Sequence, residues 1–177
     1  MEFVVLVDEN DTPIGEMEKL EAHQKGCLHR AISVFIFNQK NELLLQRRAM
    51  DKYHSAGLWT NTCCSHPRPE ESSYDAAMRR LKEEMGIHTP LKHVFSFQYK
   101  TDFESGLIEH ELDHVFIGFS DALPVMNPEE AMEYKYIDLT SLTNEIQSNP
   151  NDFTFWFKEI VDRYNHQLIK HLENESL

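Results

Sequence analysis

One segment constrains the fold more than any other: an amphipathic helix predicted over residues 71–85. Its apolar side chains recur at the three- and four-residue spacing of a single helix face, namely Tyr74, Ala77, Met78, Leu81 and Met85. Gly86 follows directly and is a typical helix stop. A helix with one apolar face has to cover another apolar layer, so the chain needs a sheet or further helices beneath it.

A carboxylate at the edge of that face adds a second constraint. Glu84 lies three residues after Leu81 and therefore borders the apolar stripe. A carboxylate turned toward a core needs a cation or a metal ion as its partner. Arg80 lies one helical turn earlier and is the nearest candidate. A structural ion pair and a metal site are thus two open interpretations of Glu84.

The rest of the chain combines strand-like and helical patterns. Runs rich in β-forming residues predict strands at residues 3–7, 28–37, 42–46, 94–101, 107–119 and 134–137, with a turn-rich stretch at 8–15. Helical signals predict a short helix starting at Pro128, another over 139–146 and a closing helix over about 153–171. These elements predict an α+β fold with a mixed sheet between helices, in a single domain over residues 1–177.

Composition excludes several classes of function. Hydrophobic residues make up 41% and charged residues 27% of the chain, as in globular proteins. The net charge of −13 argues against nucleic acid or an anionic membrane as a partner, so an anionic substrate would need a local cationic site. Apolar runs far shorter than the ~20 residues of a membrane span, and the lack of a signal-peptide pattern, predict a cytoplasmic protein. Three cysteines disfavour a disulfide framework.

Carboxylates alternate along the predicted strand at residues 107–119. Glu109, Glu111 and Asp113 fall on one face of it. Like charges in a row repel each other, so water or a bound cation has to relieve them. An exposed polar face explains this pattern about as well as a cation site does.

A third group of candidates starts from the segment TNTCCSHP at residues 60–67. Cys64 and His66 share a face if this segment is extended. Three more histidines (His23, His29 and His54) lie earlier in the chain, although a histidine taken singly is more often structural than a ligand. Imidazoles and carboxylates together match the ligands of zinc or manganese. The candidate ligands are His23, His29, His66, Glu109 and Glu111.

Basic residues close to these segments are candidates for binding phosphate, because guanidinium and ammonium groups donate to phosphate oxygens. They are Lys19, Arg47, Arg48, Lys52, Arg79 and Arg80. Ordinary surface charge and helix ion pairs explain some of them, first of all Arg47 and Arg79.

Taken together, the motifs resemble one family. Residues 65–87 resemble a Nudix box in which Ser65 replaces the first glycine and Arg80 replaces a glutamate. These departures, with the 60–67 segment and Glu109-His110-Glu111 downstream, are similar to the type 1 isopentenyl-diphosphate isomerases, which have a Nudix fold. The resemblance covers nearly the whole chain, from Phe3 to the region of Trp156.

The resemblance implies a site and a reaction. It implies one Mn²⁺ or Zn²⁺ held by three histidines and two glutamates, and a Mg²⁺ between the substrate diphosphate and Glu84. Protonation and deprotonation would interconvert isopentenyl and dimethylallyl diphosphate, small prenyl diphosphates of isoprenoid biosynthesis. The implied catalytic residues are Cys64, Glu111 and Tyr99, the implied metal ligands are His23, His29, His66, Glu109, Glu111 and Glu84, and the implied substrate-binding residues are Lys19, Arg48, Lys52, Arg80 and Trp156.

Two other functions stay open at this point. A Nudix hydrolase of a nucleoside diphosphate derivative fits the helix, although Arg80 stands where hydrolysis needs a carboxylate. A non-catalytic metal-binding or redox-sensing domain would use Cys63 and Cys64. For the oligomeric state we expect a monomer or a weak homodimer.

Overall fold

Nine strands join one sheet within residues 1–175, the part of the chain that the computed structural model describes. They are Phe3–Val7 (β1), Pro13–Glu18 (β2), His29–Phe37 (β3), Leu43–Arg48 (β4), Trp59–Thr60 (β5), Cys63–Ser65 (β6), Leu91–Asp102 (β7), Ile108–Phe119 (β8) and Ala131–Ile137 (β9). The helices are Lys19–Lys25 (α1), Ser73–Met85 (α2), Leu139–Ser148 (α3) and Phe155–Glu175 (α4), with a 3-10 turn at Pro150–Asp152. No helix in the described residues is both long and apolar enough to cross a membrane.

Strand β3 is the centre of the sheet. It pairs antiparallel with β1, β4 and β6 and parallel with β8. Strand β7 lies antiparallel on the far side of β8, and β9 pairs antiparallel with β4. Because a parallel pair sits among antiparallel pairs, the sheet is mixed.

Helices cover both faces of the sheet. Successive side chains of β3 point to opposite faces, as the pleat requires. Val34 packs in one apolar cluster with Leu81 of α2. Its neighbour Phe35 packs in the other cluster against Phe157 of α4, with ring centroids 5.9 Å apart. The predicted α+β fold with a mixed sheet between helices is therefore confirmed.

The register of the central strands brings distant segments together. His29 lies opposite Glu111 in the parallel pair β3–β8, and Tyr99 lies opposite Glu111 in the pair β7–β8. Ser33 lies opposite Cys64 where β6 joins β3. Candidate residues as far apart in the sequence as His29 and Glu111 thus lie on neighbouring strands.

Helix α2 ends where the sequence predicts. Gly86 adopts the left-handed conformation, with φ of 66°, which a residue without a side chain adopts at low cost. The helix begins at Ser73, later than the predicted residue 71, because the Ser72 side chain caps it by accepting the N–H of Asp75.

Other predicted elements need correction. The helix predicted from Pro128 is wrong: Asn127 Oδ1 accepts the N–H of Glu129 in a turn, and Ala131 already pairs with Arg48 as β9 begins. Strand β9 accordingly starts before the predicted residue 134. The turn predicted over residues 8–15 is wrong from Pro13 onward, where β2 begins. Helix α1 and the short strands β5 and β6 were not predicted.

Candidate active site

The predicted site residues converge on one cavity beside the sheet centre. All of them except His23 and His29, which are fully buried, line this cavity. The lining members are Lys19, Arg48, Lys52, Cys64, His66, Arg80, Glu84, Tyr99, Glu109, Glu111 and Trp156.

The three carboxylates of strand β8 face the protein interior. Glu109, Glu111 and Asp113 are all buried, so the interpretation as an exposed polar face is wrong. Asp113 accepts a 2.6 Å hydrogen bond from the Ser33 hydroxyl. The Tyr99 hydroxyl lies between the other two carboxylates, 2.9 Å from Glu109 Oε2 and 2.6 Å from Glu111 Oε1. Burial, with both carboxylates adding to it, raises the pKa of Tyr99 well above its usual range, so its proton is retained.

Three histidines gather around Glu111. Its Oε2 lies 2.9 Å from His66 Nε2 and 3.3 Å from His29 Nε2. One ligand atom from each of these residues and one from His23 lie within 4.8 Å of one another. Helix α1 carries His23, and strands β3 and β8 carry His29 and Glu111. Four separate segments therefore supply one compact set of nitrogen and oxygen ligands.

The chemistry of this set fits a divalent transition metal. The Nδ1–H groups of His23 and His29 donate to the carbonyls of Lys19 and Cys27, at 2.7 and 2.9 Å. Both Nε2 atoms are buried and have no hydrogen-bond partner among the described residues. Burial lowers the pKa of His23 to about 4, so its imidazole is neutral at pH 7. Neutral imidazoles oriented by a backbone carbonyl are typical metal ligands.

Glu109 faces a histidine that was not among the predicted ligands. Its Oε1 lies 2.8 Å from Nε2 of His54, in the loop between β4 and β5. Ligand atoms of His23, His54 and Glu109 form a second close group, also within 4.8 Å. The loop has no regular pattern that would place His54, and only its residue type is a signal in the sequence.

Cys64 presents its thiol to the cavity. Sγ donates to Asn61 Oδ1 at 3.0 Å and accepts from the Trp156 indole N–H at 2.9 Å. Burial, with contributions from Asp113 and Glu84, raises the pKa of Cys64 to about 12. The neighbouring Cys63 is fully buried in the apolar cluster under α2, as expected for a packing role.

Glu84 on α2 has the cationic partner that its position requires. Arg80 Nη2 donates to Glu84 Oε1 at 2.7 Å, and Gln46 donates to the other oxygen at 2.8 Å. Burial raises the pKa of Glu84, and Arg80 opposes that shift. The ion pair, one of the two interpretations left open by the sequence, is thus present, and it lies against the cavity.

A cationic patch of four residues, Lys19, Arg48, Lys52 and Arg80, lines the same cavity. Glu130 joins two of them, 2.6 Å from Lys52 Nζ and 3.0 Å from Arg80 Nη2. Lys19 pairs with Glu2. Arg48 lies over the Trp156 ring, 5.2 Å from its centroid. In a chain with a net charge of −13, this patch is a local concentration of positive charge, as an anionic substrate would require.

Arg47 and Arg79, the two basic residues expected to be ordinary, do not line this cavity. Arg79 forms ion pairs with Glu71 and Glu83, at 2.7 and 3.2 Å. Arg47 donates to the carbonyl of Gly57 at 2.9 Å.

Comparison with known proteins shows the family. A family model described as "NUDIX domain" matches residues 28–160. "Isopentenyl-diphosphate Delta-isomerase 2" of Aromatoleum aromaticum is 58% identical over 160 residues, covering 90% of this chain and 85% of that protein. "Isopentenyl-diphosphate Delta-isomerase" of Pectobacterium atrosepticum is 54% identical and covers 88% and 87% of the two chains.

Solved structures agree on the fold. The crystal structure of DR0079 from Deinococcus radiodurans has a TM-score of 0.76 at 20% identity and covers 92% of this chain and 98% of that one. The MutT protein of Methanosarcina mazei has a TM-score of 0.66 at 21% identity, over 79% and 94% of the chains. Identities this low indicate a shared fold and nothing about substrate. The match to the domain model and the identity to the named relatives show that this chain belongs to the NUDIX family and, within it, to the isopentenyl-diphosphate Delta-isomerases.

Proposed function

We propose that this chain interconverts isopentenyl diphosphate and dimethylallyl diphosphate by protonation and deprotonation, as a step of isoprenoid biosynthesis. The relatives named for this isomerisation, at 58% and 54% identity, support the proposal. The observation that carries it is that Cys64 and Glu111, two groups able to hold and release protons, line one cavity together with a cationic patch.

The reaction explains why two such groups are needed. An isolated alkene is a very weak base, so a positioned acid has to protonate its terminal carbon, which leaves positive charge on the tertiary carbon. A base then removes a proton from the carbon next to the diphosphate-bearing carbon, and the double bond forms at its new position. This is general acid–base catalysis by two groups on either side of a flat substrate.

Cys64 and Glu111 are the two proposed groups. The raised pKa of Cys64 keeps its thiol protonated at pH 7. The Tyr99 hydroxyl, which retains its own proton, donates to Glu111 at 2.6 Å and so orients the Glu111 carboxylate. Trp156 lies against Cys64 and presents an aromatic ring to the cavity. A ring face stabilises a nearby cation by about 0.5–2 kcal/mol. The cationic intermediate also needs shielding from water, which would otherwise trap it as an alcohol.

The cationic patch is the proposed diphosphate site. Lys19, Arg48, Lys52 and Arg80 would donate to the phosphate oxygens, and Glu84 would hold a Mg²⁺ that the diphosphate shares. This assignment retains the Arg80–Glu84 pair and explains why a buried carboxylate lies beside the cations.

The histidines and glutamates gathered around Glu111 and Glu109, here called the His/Glu group, would bind a Mn²⁺ or Zn²⁺. The residues that would hold it are His23, His29, His66 and Glu111, which form one close group, and Glu109, which belongs to the second group that shares His23. When bound, such an ion would orient the Glu111 carboxylate and lower its proton affinity. A cytoplasmic location and a monomeric or weakly dimeric state remain predictions from the sequence.

Replacing the proposed thiol acid–base group tests the function. We expect Cys64→Ala to lower turnover of isopentenyl diphosphate by a factor on the order of 10² to 10⁴, as general acid–base groups contribute. The measurement is incorporation of deuterium from deuterated water into isopentenyl diphosphate, alongside formation of dimethylallyl diphosphate, with the divalent ions supplied.

The adjacent cysteine provides the matched control. Cys63→Ala removes a thiol that packs under α2, and it should leave turnover per folded molecule close to that of the unmodified protein. Normal turnover by Cys64→Ala would refute the role of Cys64. Release of phosphate from nucleoside diphosphate derivatives, without exchange into the prenyl substrate, would instead favour a hydrolase.

A further inference from the structure

His54 lies in a fixed position inside the protein. Only 7% of the residue is exposed. Its ring stacks on Phe103, with centroids 4.7 Å apart and planes 12° apart, and meets Tyr53 and Trp156 edge-on at 4.4 and 5.8 Å. Its Nδ1 lies 3.1 Å from the Ser55 hydroxyl. Aromatic neighbours on several sides thus fix the direction in which the other nitrogen points.

The contact between His54 and Glu109 is close but is not a hydrogen bond. His54 Nε2 lies 2.8 Å from Glu109 Oε1, yet this buried nitrogen has no aligned partner among the described residues. His23 Nε2 is also buried and also has no hydrogen-bond partner among the described residues. Two buried imidazole nitrogens without hydrogen-bond partners, close to one carboxylate oxygen, need another group to satisfy them.

A divalent metal ion satisfies all three groups at once. The ligand atoms of His23, His54 and Glu109 lie within 4.8 Å of one another, and His23 also belongs to the group around Glu111. Two imidazoles and a carboxylate are a ligand set that transition metals favour.

We propose that His54 is a further ligand of the His/Glu metal centre, binding through Nε2 together with His23 and Glu109. The inference rests on the metal centre of the proposed function and adds a side chain to its ligands. With His54, six side chains, in two close groups that share His23, offer nitrogen and oxygen ligands. Such a set suits the higher coordination number of Mn²⁺ better than the tetrahedral preference of Zn²⁺.

The test compares two substitutions that separate binding a metal from positioning Glu109. His54→Ala removes the imidazole, and His54→Gln replaces it with an amide that can still donate an N–H to Glu109. If His54 is a ligand, both variants should bind Mn²⁺ at least about 10- to 100-fold more weakly, since replacing even an outer partner of a metal ligand causes a loss of that size. Metal-free proteins are titrated with Mn²⁺ alone, and the free ion is followed by electron paramagnetic resonance.

The bound ion gives a second measurement, independent of activity. The ¹⁴N couplings of the Mn²⁺ signal should show one fewer imidazole in either variant. His93→Gln, at an exposed histidine of strand β7, is the control and should bind Mn²⁺ like the unmodified protein. His54→Gln with unchanged affinity and unchanged couplings would overturn the proposal and make His54 a positioning residue.

The titration of the unmodified protein tests whether the metal centre exists at all. If the unmodified protein binds no Mn²⁺, both the metal centre and the role of His54 are wrong. Isomerisation, measured separately by deuterium exchange, then decides whether the rest of the proposed function survives. Weaker Mn²⁺ binding by both His54→Ala and His54→Gln, with one fewer imidazole coupling and with His93→Gln unaffected, supports the proposal.

Discussion

At the scale of single residues, Glu130 lines the cavity and bridges two of its cationic side chains. It accepts from Lys52 and Arg80, two members of the proposed diphosphate site, at 2.6 and 3.0 Å. Burial opposes its ionisation, but the hydrogen bonds from these two cations outweigh that effect and lower the pKa of Glu130 to about 2. Glu130 therefore holds the side chains of Lys52 and Arg80 in place, and under the proposed function an incoming diphosphate would have to compete with it.

This depressed pKa predicts a pH-dependent contribution to stability. Because the folded state binds the Glu130 proton less tightly than the unfolded state, its contribution is complete above about pH 4.5 and is lost as the pH falls toward 2. We expect Glu130→Gln to lower the free energy of unfolding by about 1–3 kcal/mol at pH 7 and by progressively less below pH 4.5. Urea unfolding at a series of pH values measures the difference.

An exposed neighbour is the control for this prediction. Glu129→Gln changes the same charge one position away and should alter the free energy of unfolding by less than about 0.5 kcal/mol throughout. An equal loss of stability in Glu130→Gln at pH 3 and pH 7 would contradict the assigned pKa.

At the scale of elements, predictability followed the strength of the local pattern. Helix α2 was predicted because its apolar side chains recur along one face and because Gly86 ends it. Strand β3 was predicted because β-forming residues run through its length. Strands β5 and β6 have two and three residues, too few to show alternation, and α1 has seven residues and depends on the Glu18 cap and on packing.

The candidate site residues also differ in whether a local sequence pattern places them. Glu109 and Glu111 were found because alternation puts them on one face, whereas their burial follows from the pairing of β8 with β3 and β7. His54 was missed as a site residue, since a loop residue obtains its partners only from tertiary structure. The four-residue spacing of Arg80 and Glu84 made their ion pair one of two interpretations, and the structure shows that pair.

The cap of α2 gives a prediction at this scale, since this helix carries both Arg80 and Glu84. Ser72→Ala removes the acceptor for the Asp75 N–H and should lower the free energy of unfolding by about 1 kcal/mol. Ser73→Ala, inside the first turn, should change it by a few tenths of a kcal/mol at most. Urea unfolding of the two variants compares them directly. Equal losses would show that the cap is not what stabilises the start of α2.

At the scale of the whole molecule, the His/Glu group connects parts of the chain that otherwise share little. His23 comes from α1, His29 from β3, Glu111 from β8 and His66 from the segment after β6. An ion bound among them would tie the N-terminal helix to the centre of the sheet. The buried Nε2 atoms of His23 and His29 have no hydrogen-bond partner among residues 1–175, which is unfavourable for folding unless an ion binds them.

Removal of the metal should therefore lower the stability of the entire fold. An ion that binds only the folded state at a hundred times its Kd stabilises that state by about 2.7 kcal/mol, which corresponds to roughly 5–10 °C in Tm for a chain of this size. We expect a chelator to lower Tm by that amount and Mn²⁺ or Zn²⁺ to restore it. His29→Ala should show a low Tm that responds to neither treatment, because it lacks a central ligand.

A Tm of the unmodified protein that is insensitive to both treatments would mean that this group does not hold a metal in the folded protein. Limited proteolysis of the metal-free protein would then be expected to leave α1 as protected as before, whereas a true metal centre predicts earlier cleavage around His23.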